Sequence, residues 1–95
     1  MNKLILGSDY SVCSSSEQTA CADGEIKPRI PIDSFIDCIK ICNEDNNCNF
    51  IFYIPNAGSD QKVCVKYPSC NNIRETTHIG SLYSKKGNCP GRLSI

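Results

Sequence analysis

The chain has 95 residues, among them eight cysteines, and its ten basic residues balance ten acidic ones. Because a nucleic-acid-binding surface normally has a basic excess, this balance argues against a nucleic-acid partner. No apolar segment approaches the roughly 20 residues needed to cross a bilayer, so membrane insertion is not expected.

The N-terminal part of the chain, residues 1–12, is expected to be a lead-in segment with an optional first strand. The polar stretch SSSEQT at 14–19 is predicted to be turn-like. Pro28 and Pro31 then hold the residues between them extended, because proline disfavours helical backbone at the residue before it. The main domain is predicted to span residues 13–89, and residues 90–95 are expected to be a tail.

A single substantial helix is predicted to begin at Asp33 or Ser34, since either side chain can cap the free backbone N–H groups. Asp37 follows Ser34 by three residues, as in a capping box. Ile36 and Ile41 widen the apolar face of this helix. The face itself follows from residues at helical spacing: Phe35, Cys38, Ile39 and Cys42.

The remainder of the chain has the pattern of strands and turns. Residues 49–54 are rich in aromatic and β-branched side chains and precede a turn signal, PNAG at 55–58. Residues 62–67 alternate as a half-buried strand does, and residues 79–84 are predicted to be the last strand. One helix packed on an antiparallel sheet is therefore predicted, which is the α+β class.

The cysteine content is typical of a disulfide scaffold in a secreted or extracellular protein. Structural zinc sites favour two well-separated pairs of closely spaced cysteines, whereas this sequence has no CxxC pair and one histidine, His78. A cysteine nucleophile would need a base beside an unpaired thiol. We therefore expect no metal, no other cofactor and no enzymatic activity.

Several disulfide pairings are physically open. A helix lying on a sheet brings Cys38 or Cys42 over a central strand, and Cys64 lies in the middle of one predicted strand. Cys42 and Cys48 flank a predicted turn and can bond locally. In the chain-entropy model each long-range bridge contributes about 3–4 kcal/mol, which is comparable with the whole stability of a small domain.

The order of these motifs resembles the PAN/apple domain family, and the similarity covers residues 13–89. The motifs are CIKICNEDNNC at 38–48, the aromatic strand after it, VCVK at 63–66 and GSLYSKK at 80–86. The resemblance implies a small disulfide-rich fold in which an antiparallel sheet cradles one helix. It implies the bridges Cys38–Cys64, Cys42–Cys48 and Cys13–Cys89, which leaves Cys21–Cys70 as the fourth pair. The competing arrangement is Cys13–Cys70 with Cys21–Cys89.

The sequence departs from the family pattern at two positions. Ile51 stands where the family often has phenylalanine, and Lys66 stands where it usually has leucine. We therefore expect packing beside the central bridge to differ, with Lys66 pointing to solvent at a sheet edge.

PAN/apple domains are non-catalytic binding modules of secreted and surface proteins, including microneme-type adhesins of apicomplexan parasites. The asparagine-rich segments at 43–49 and 71–72 favour such an adhesin. The start of the chain lacks the apolar core of a signal peptide, so we take it to be a mature or excised domain of the secretory pathway. The first functional hypothesis is adhesion, host-cell attachment or complex assembly through a protein receptor or complex subunit.

Two further hypotheses concern sugars. In the first, the domain binds a cell-surface glycan as a lectin, using an aromatic face and fixed polar groups supplied by Lys66, Tyr67, His78, Tyr83 and Asn56. In the second, it binds a glycosaminoglycan through Lys62, Lys66, Arg74, Lys85 and Lys86.

Overall fold

Residues 10–90, the part of the chain that the computed structural model describes, contain one helix and five strands. The strands are β1 (Ser11–Cys21), β2 (Ile26–Ile32), β3 (Phe50–Ile54), β4 (Lys62–Tyr67) and β5 (Ile73–Ser84), and the helix is α1 (Phe35–Asn43). All strand pairs are antiparallel and form one sheet in the order β1-β5-β3-β4-β2. The α+β prediction is confirmed. Most of the expected lead-in (1–9) and tail (91–95) lies outside the described residues.

The helix α1 forms where its apolar spacing predicts it. Its N-cap is Ser34, whose backbone is extended and whose carbonyl oxygen accepts a hydrogen bond from the Asp37 N–H at 3.1 Å. The Ser34 hydroxyl makes no capping hydrogen bond, so the predicted side-chain capping is absent. Cys38, Ile39 and Cys42 are buried as predicted. Ile36 is 45% exposed, so it lies outside the packed face of α1, and the prediction that it widens this apolar face is wrong.

One face of the sheet packs against α1. Phe35 anchors this contact, with its ring centroid 5.3 Å from that of Tyr53 on β3 and 4.7 Å from that of Tyr83 on β5. The centre of this layer is fully buried: Cys38, Ile39, Cys42, Cys48, Ile51 and Cys64. Four of those six side chains are sulfurs in bridges, so the cross-links themselves fill the core between helix and sheet.

The opposite face of the sheet has its own core. Alternate residues of β3 point there, because successive side chains of a strand face opposite sides. The smaller side chains of this layer are Ala20 and Cys21 at the end of β1 and Cys70 after β4. Its larger side chains come from β3, β4 and β5: Phe50, Phe52, Ile54, Val65, Tyr67 and Leu82.

The antiparallel ribbon of β1 and β5 supplies the cover for this second core. β3 pairs with β5 only from Ser81 to Ser84, so the other half of the ribbon extends beyond β3. Between the pairs Glu17↔Gly80 and Thr19↔Glu75, β1 advances two residues (17 to 19) and β5 five (80 to 75). This irregularity bends the ribbon.

The turn predicted at 14–19 is wrong, because these residues belong to β1. Ser15, Ser16, Glu17 and Gln18 are exposed, so polar side chains suit this edge strand, while the backbone pairs with β5. Local composition therefore indicated a turn where long-range pairing produces a strand. The extended conformation predicted around the two prolines is confirmed by β2, an edge strand where missing backbone donors are tolerated.

Candidate functional site

The structure contains four disulfide bonds, each with its two Cα atoms 5.3 Å apart. They join Cys38 to Cys64, Cys42 to Cys48, Cys13 to Cys89 and Cys21 to Cys70. The first three are the pairs that the family resemblance implies, the fourth is the pair that those three leave over, and the competing arrangement of the last two pairs is absent. All eight cysteines are therefore cross-links.

Two features of residues 10–90 bear on the kind of site. Within that range, no group of three or more histidine, cysteine, aspartate or glutamate side chains is placed to hold a metal ion. In the same part of the chain, no helix is long and apolar enough to cross a bilayer.

The two tyrosines expected to face a sugar lie in packed layers instead. Tyr67 is 3% exposed in the second core, and this burial raises the pKa of its hydroxyl. Tyr83 lies on the helix side of the sheet, where its ring packs against Phe35. Tyr67 is therefore corrected from a ligand contact to a packing residue. Tyr83 is half-buried, so it packs against Phe35 and its ligand role stays a prediction.

Lys66 also differs from its expected position. Its strand, β4, lies between β3 and β2 and is not a sheet edge. Its side chain is only 11% exposed, and its Nζ atom lies 2.9 Å from Oδ2 of Asp45, just after α1. The expectation of a solvent-facing lysine at an edge is thus wrong, and its amino group is already paired.

Asn56 and His78 are the two predicted ligand residues that the fold brings together. They line a shallow depression of about 450 Å³ with Gln18, Thr77 and Ile79. The Asn56 side-chain oxygen accepts hydrogen bonds from the Gly58 N–H at 2.9 Å and from the Asp60 N–H at 3.1 Å. That oxygen therefore shapes the β3–β4 turn.

The five basic residues proposed for a glycosaminoglycan are in different settings. Lys85 donates a hydrogen bond to the Cys42 carbonyl oxygen at 3.3 Å, at the C-terminal end of α1, where a cation is favoured. Lys66 is paired with Asp45. Arg74 lines a depression near Glu75, and Lys86 lines a separate one. Arg74 also donates a hydrogen bond to the Glu75 carbonyl oxygen at 3.3 Å, so three of the five cations are engaged within the fold.

A depression elsewhere on the surface is lined by segments that disulfides and hydrogen bonds hold in place. It is a depression of about 470 Å³ at the end of the sheet where β3 begins and β4 and β5 end. We call it the asparagine depression. Phe50, Pro68 and Pro90 give it apolar surface. Its polar lining consists of amides, hydroxyls and one cation: Asn49, Ser69, Asn71, Ser84, Lys86 and Asn88.

Asn49 connects the two walls of the asparagine depression. Its Nδ2 donates to the Pro68 carbonyl oxygen at 3.0 Å, and its backbone N–H donates to the Tyr67 carbonyl oxygen at 2.9 Å. Its own carbonyl oxygen accepts a hydrogen bond from the Lys85 N–H at 2.8 Å. The segment after β4 and the segment after β5 are therefore both fastened to the residue that precedes β3.

The first wall, residues 68–72, is fixed by Asp23 and by the Cys21–Cys70 bridge. The Asp23 carboxylate accepts hydrogen bonds from the Asn71 N–H at 2.9 Å, the Ser69 hydroxyl at 3.1 Å and the Asn71 side-chain amide at 3.2 Å. Desolvation alone would raise the pKa of Asp23, but these donors, with the Asn72 N–H, outweigh it and lower that pKa. A charged Asp23 therefore holds this wall at neutral pH.

The second wall, residues 84–90, is held by a disulfide and by hydrogen bonds, among them the one from the Lys85 N–H to Asn49. The Cys13–Cys89 bridge joins it to β1, and the Asn88 N–H donates to the buried Ser84 hydroxyl at 2.8 Å. Both walls thus combine one disulfide with hydrogen bonds, which leaves the shape of the asparagine depression set before any ligand arrives.

Sequence reasoning missed the asparagine depression because its lining comes from three segments far apart in the chain. The signal that was available is the placement of Asn49, Asn71 and Asn88 immediately beside cysteines 48, 70 and 89. A polar residue next to a bridged cysteine is held at a defined position.

Comparison of the chain with protein-family models, with curated proteins and with solved structures finds no match in any of the three.

Proposed function

We propose that the chain is an extracellular, non-catalytic binding module of the PAN/apple type that attaches to a protein receptor or to a subunit of a larger complex. The observation that carries this proposal is that all eight cysteines form disulfide bridges. Two of the four bridges, Cys13–Cys89 and Cys21–Cys70, fix the walls of the asparagine depression. Fixing a surface before binding reduces the entropy lost on association. Fully oxidised cysteines also suit a secreted or extracellular location.

The packing of the aromatic residues favours a protein partner over a sugar. Lectin sites stack the apolar side of a sugar ring on an exposed aromatic face. Here Tyr67 is buried and Tyr83 packs against Phe35, while Phe50, which lines the asparagine depression, is 8% exposed. A non-obligate protein interface is, as a whole, about as apolar as the rest of the protein surface, and the mixed polar and apolar lining of the asparagine depression is compatible with that composition.

A glycan is the second candidate ligand, and the lining of the asparagine depression supports it. The side-chain amide of Asn88 can both donate to and accept from sugar hydroxyls, and those of Asn49 and Asn71, which each donate one hydrogen bond within the fold, keep a second N–H and an oxygen. The glycosaminoglycan hypothesis has less support, because Lys66 and Lys85 are engaged at the end of α1.

The test is capture of extracellular and membrane proteins on the immobilised, oxidised domain, followed by mass spectrometry. The variant carrying Lys86→Glu and Asn88→Ala alters two exposed side chains of the asparagine depression. Lys27→Glu, on the exposed edge strand β2 and outside that lining, is the matched charge change. We expect a protein captured by the wild type and by Lys27→Glu and lost with the double variant.

A glycan array and heparin elution with the same three proteins separate the ligand classes. Glycan binding that the double variant abolishes, with no protein captured, would replace the protein partner by the sugar. Equal capture by all three proteins would place binding elsewhere on the module. Heparin retention at high salt that Lys27→Glu and the double variant leave unchanged would favour the dispersed cations instead.

A further inference from the structure

The Cys13–Cys89 bridge is the disulfide that solvent reaches. Cys89 is exposed and Cys13 is half-buried. The six other cysteines lie inside the two cores: Cys70 is 5% exposed, Cys21 is 1% exposed, and the four of the helix side are fully buried. Cys13–Cys89 is therefore the bridge whose two residues are the most exposed to solvent.

Access to sulfur decides which bridge can exchange, because an incoming thiolate must approach one sulfur atom in line with the bond that breaks. We propose that Cys13–Cys89 is a thiol–disulfide exchange site, at which an extracellular dithiol reductant opens one wall of the asparagine depression. Cys89 lines that depression, so the attacked sulfur belongs to the same surface as the proposed binding residues.

The exchange takes two steps. A thiolate of the reductant attacks Sγ of Cys89, a mixed disulfide forms, and the bond to Cys13 breaks, so that Cys13 leaves as a thiolate and takes a proton from water. The second thiol of the reductant, once deprotonated, then attacks the reductant's own sulfur in the mixed disulfide, and Cys89 leaves as a thiolate that takes a proton from water. Two electrons pass to the protein cysteines, which end as two thiols, and the reductant ends as a disulfide.

The consequence of this reduction is confined to one part of the fold. The second wall keeps the hydrogen bond from the Asn88 N–H to Ser84 Oγ but loses its covalent link to β1. The first wall keeps Cys21–Cys70 and the hydrogen bonds to Asp23. The two bridges beneath α1 also remain, so the helix and the sheet stay joined.

The exchange site is tested on the native protein by graded reduction with dithiothreitol, and separately with a thioredoxin-type dithiol protein, followed by alkylation and peptide mass spectrometry. We expect complete labelling of Cys13 and Cys89 under conditions that leave the other six cysteines unlabelled. Labelling of all eight cysteines together, or labelling of another pair first, would overturn the proposal. These readouts need no ligand, so they are independent of the proposed function.

The structural consequence is tested by hydrogen exchange on the selectively reduced and alkylated protein. We expect faster exchange at residues 10–14 and 84–90, with unchanged protection in α1, β3 and β4. The double variant Cys13→Ser with Cys89→Ser should show the same pattern in the fully oxidised state. Loss of protection throughout the chain in both samples would mean that the bridge supports the whole fold and would contradict a local switch.

The effect on binding rests on the proposed function. Where a captured protein is lost with Lys86→Glu and Asn88→Ala, selective reduction should also release it, and reoxidation should restore capture. Capture that is unaffected by reduction would overturn the control of the depression, while the labelling result would still establish the exchange site.

Discussion

The Nζ atom of Lys66 on β4 lies 2.9 Å from Oδ2 of Asp45, which follows the end of α1. The lysine stem is largely buried on the helix side of the sheet, and its ammonium group reaches the carboxylate beyond the last helical turn. Lys66 therefore joins β4 to the segment just after the end of the helix by an ion pair.

The first prediction concerns acid stability and the variant Asp45→Asn. The hydrogen bond from Lys66, with a second one from the Asn47 N–H, holds the pKa of Asp45 below its ordinary value. A carboxyl whose folded pKa is depressed stabilises the fold above its unfolded pKa, and this contribution is lost as the pH falls through the folded pKa. We expect Asp45→Asn to melt at a lower temperature than the wild type at neutral pH, with the difference shrinking below about pH 5.

Thermal melts from neutral pH down to acid check this expectation. Asp60→Asn, at an exposed position of the β3–β4 loop, is the matched control and should follow the wild type at every pH. Some acid sensitivity should persist in Asp45→Asn, because Asp23 and Glu25 also have lowered pKa values. A melting curve of Asp45→Asn that parallels the wild type across the whole range would show that the ion pair contributes nothing to stability.

The second prediction concerns the bridge between α1 and β4. Replacing Cys38 and Cys64 by alanine removes a fully buried cross-link from the centre of the helix-side core. We expect the free energy of unfolding, measured by urea denaturation, to fall by about 2–5 kcal/mol. The single variant Cys64→Ala should lose a similar amount, because the bridge is absent in either case. A denaturation midpoint equal to that of the wild type would show that packing alone holds the helix.

The third prediction concerns Gly80, the residue of β5 just before its pairing with β3 begins at Ser81. A Cβ atom at this position would lie 2.6 Å from the Tyr53 carbonyl oxygen and 2.7 Å from Cζ of Phe52. Because one of these neighbours is backbone and the other is a buried ring, Gly80→Ala should lower the free energy of unfolding by about 1–3 kcal/mol. Gly24→Ala, which meets no atom within 4 Å, should stay within about 0.5 kcal/mol of the wild type. Equal stability of the two variants in urea would contradict this packing.

The elements that sequence reasoning located are those whose signal is local. The alternation of residues 62–67 predicted β4 with its observed bounds, and the apolar spacing from Phe35 to Cys42 predicted α1. β1 was not predicted beyond residue 12, because residues 14–19 are polar and of types common in turns, and only their pairing with β5 makes them a strand. The burial of Tyr67 was not predicted, because the alternation of β4 cannot show which face of the sheet the β1–β5 ribbon covers.

The asparagine depression likewise depends on contacts between segments that are far apart in the sequence. The residues that line its floor, first wall and second wall lie within 49–50, 68–71 and 84–90. No local pattern joins these segments. They meet because β3 pairs with both β4 and β5, so the start of β3 lies beside the ends of its two antiparallel neighbours. The bridges Cys21–Cys70 and Cys13–Cys89 then fix the two walls to β1.

The last prediction concerns Asp23, which fastens the first wall of the asparagine depression. Asp23→Ala removes the acceptor for the Asn71 and Ser69 donors, so we expect the free energy of unfolding to fall by about 1–2 kcal/mol. Amide exchange at residues 69–72 should become faster while α1 keeps its protection. Asp23→Asn, which keeps one acceptor oxygen, should be intermediate, and Glu17→Ala on exposed β1 should match the wild type. Unchanged exchange at 69–72 in Asp23→Ala would show that the Cys21–Cys70 bridge alone fixes this wall.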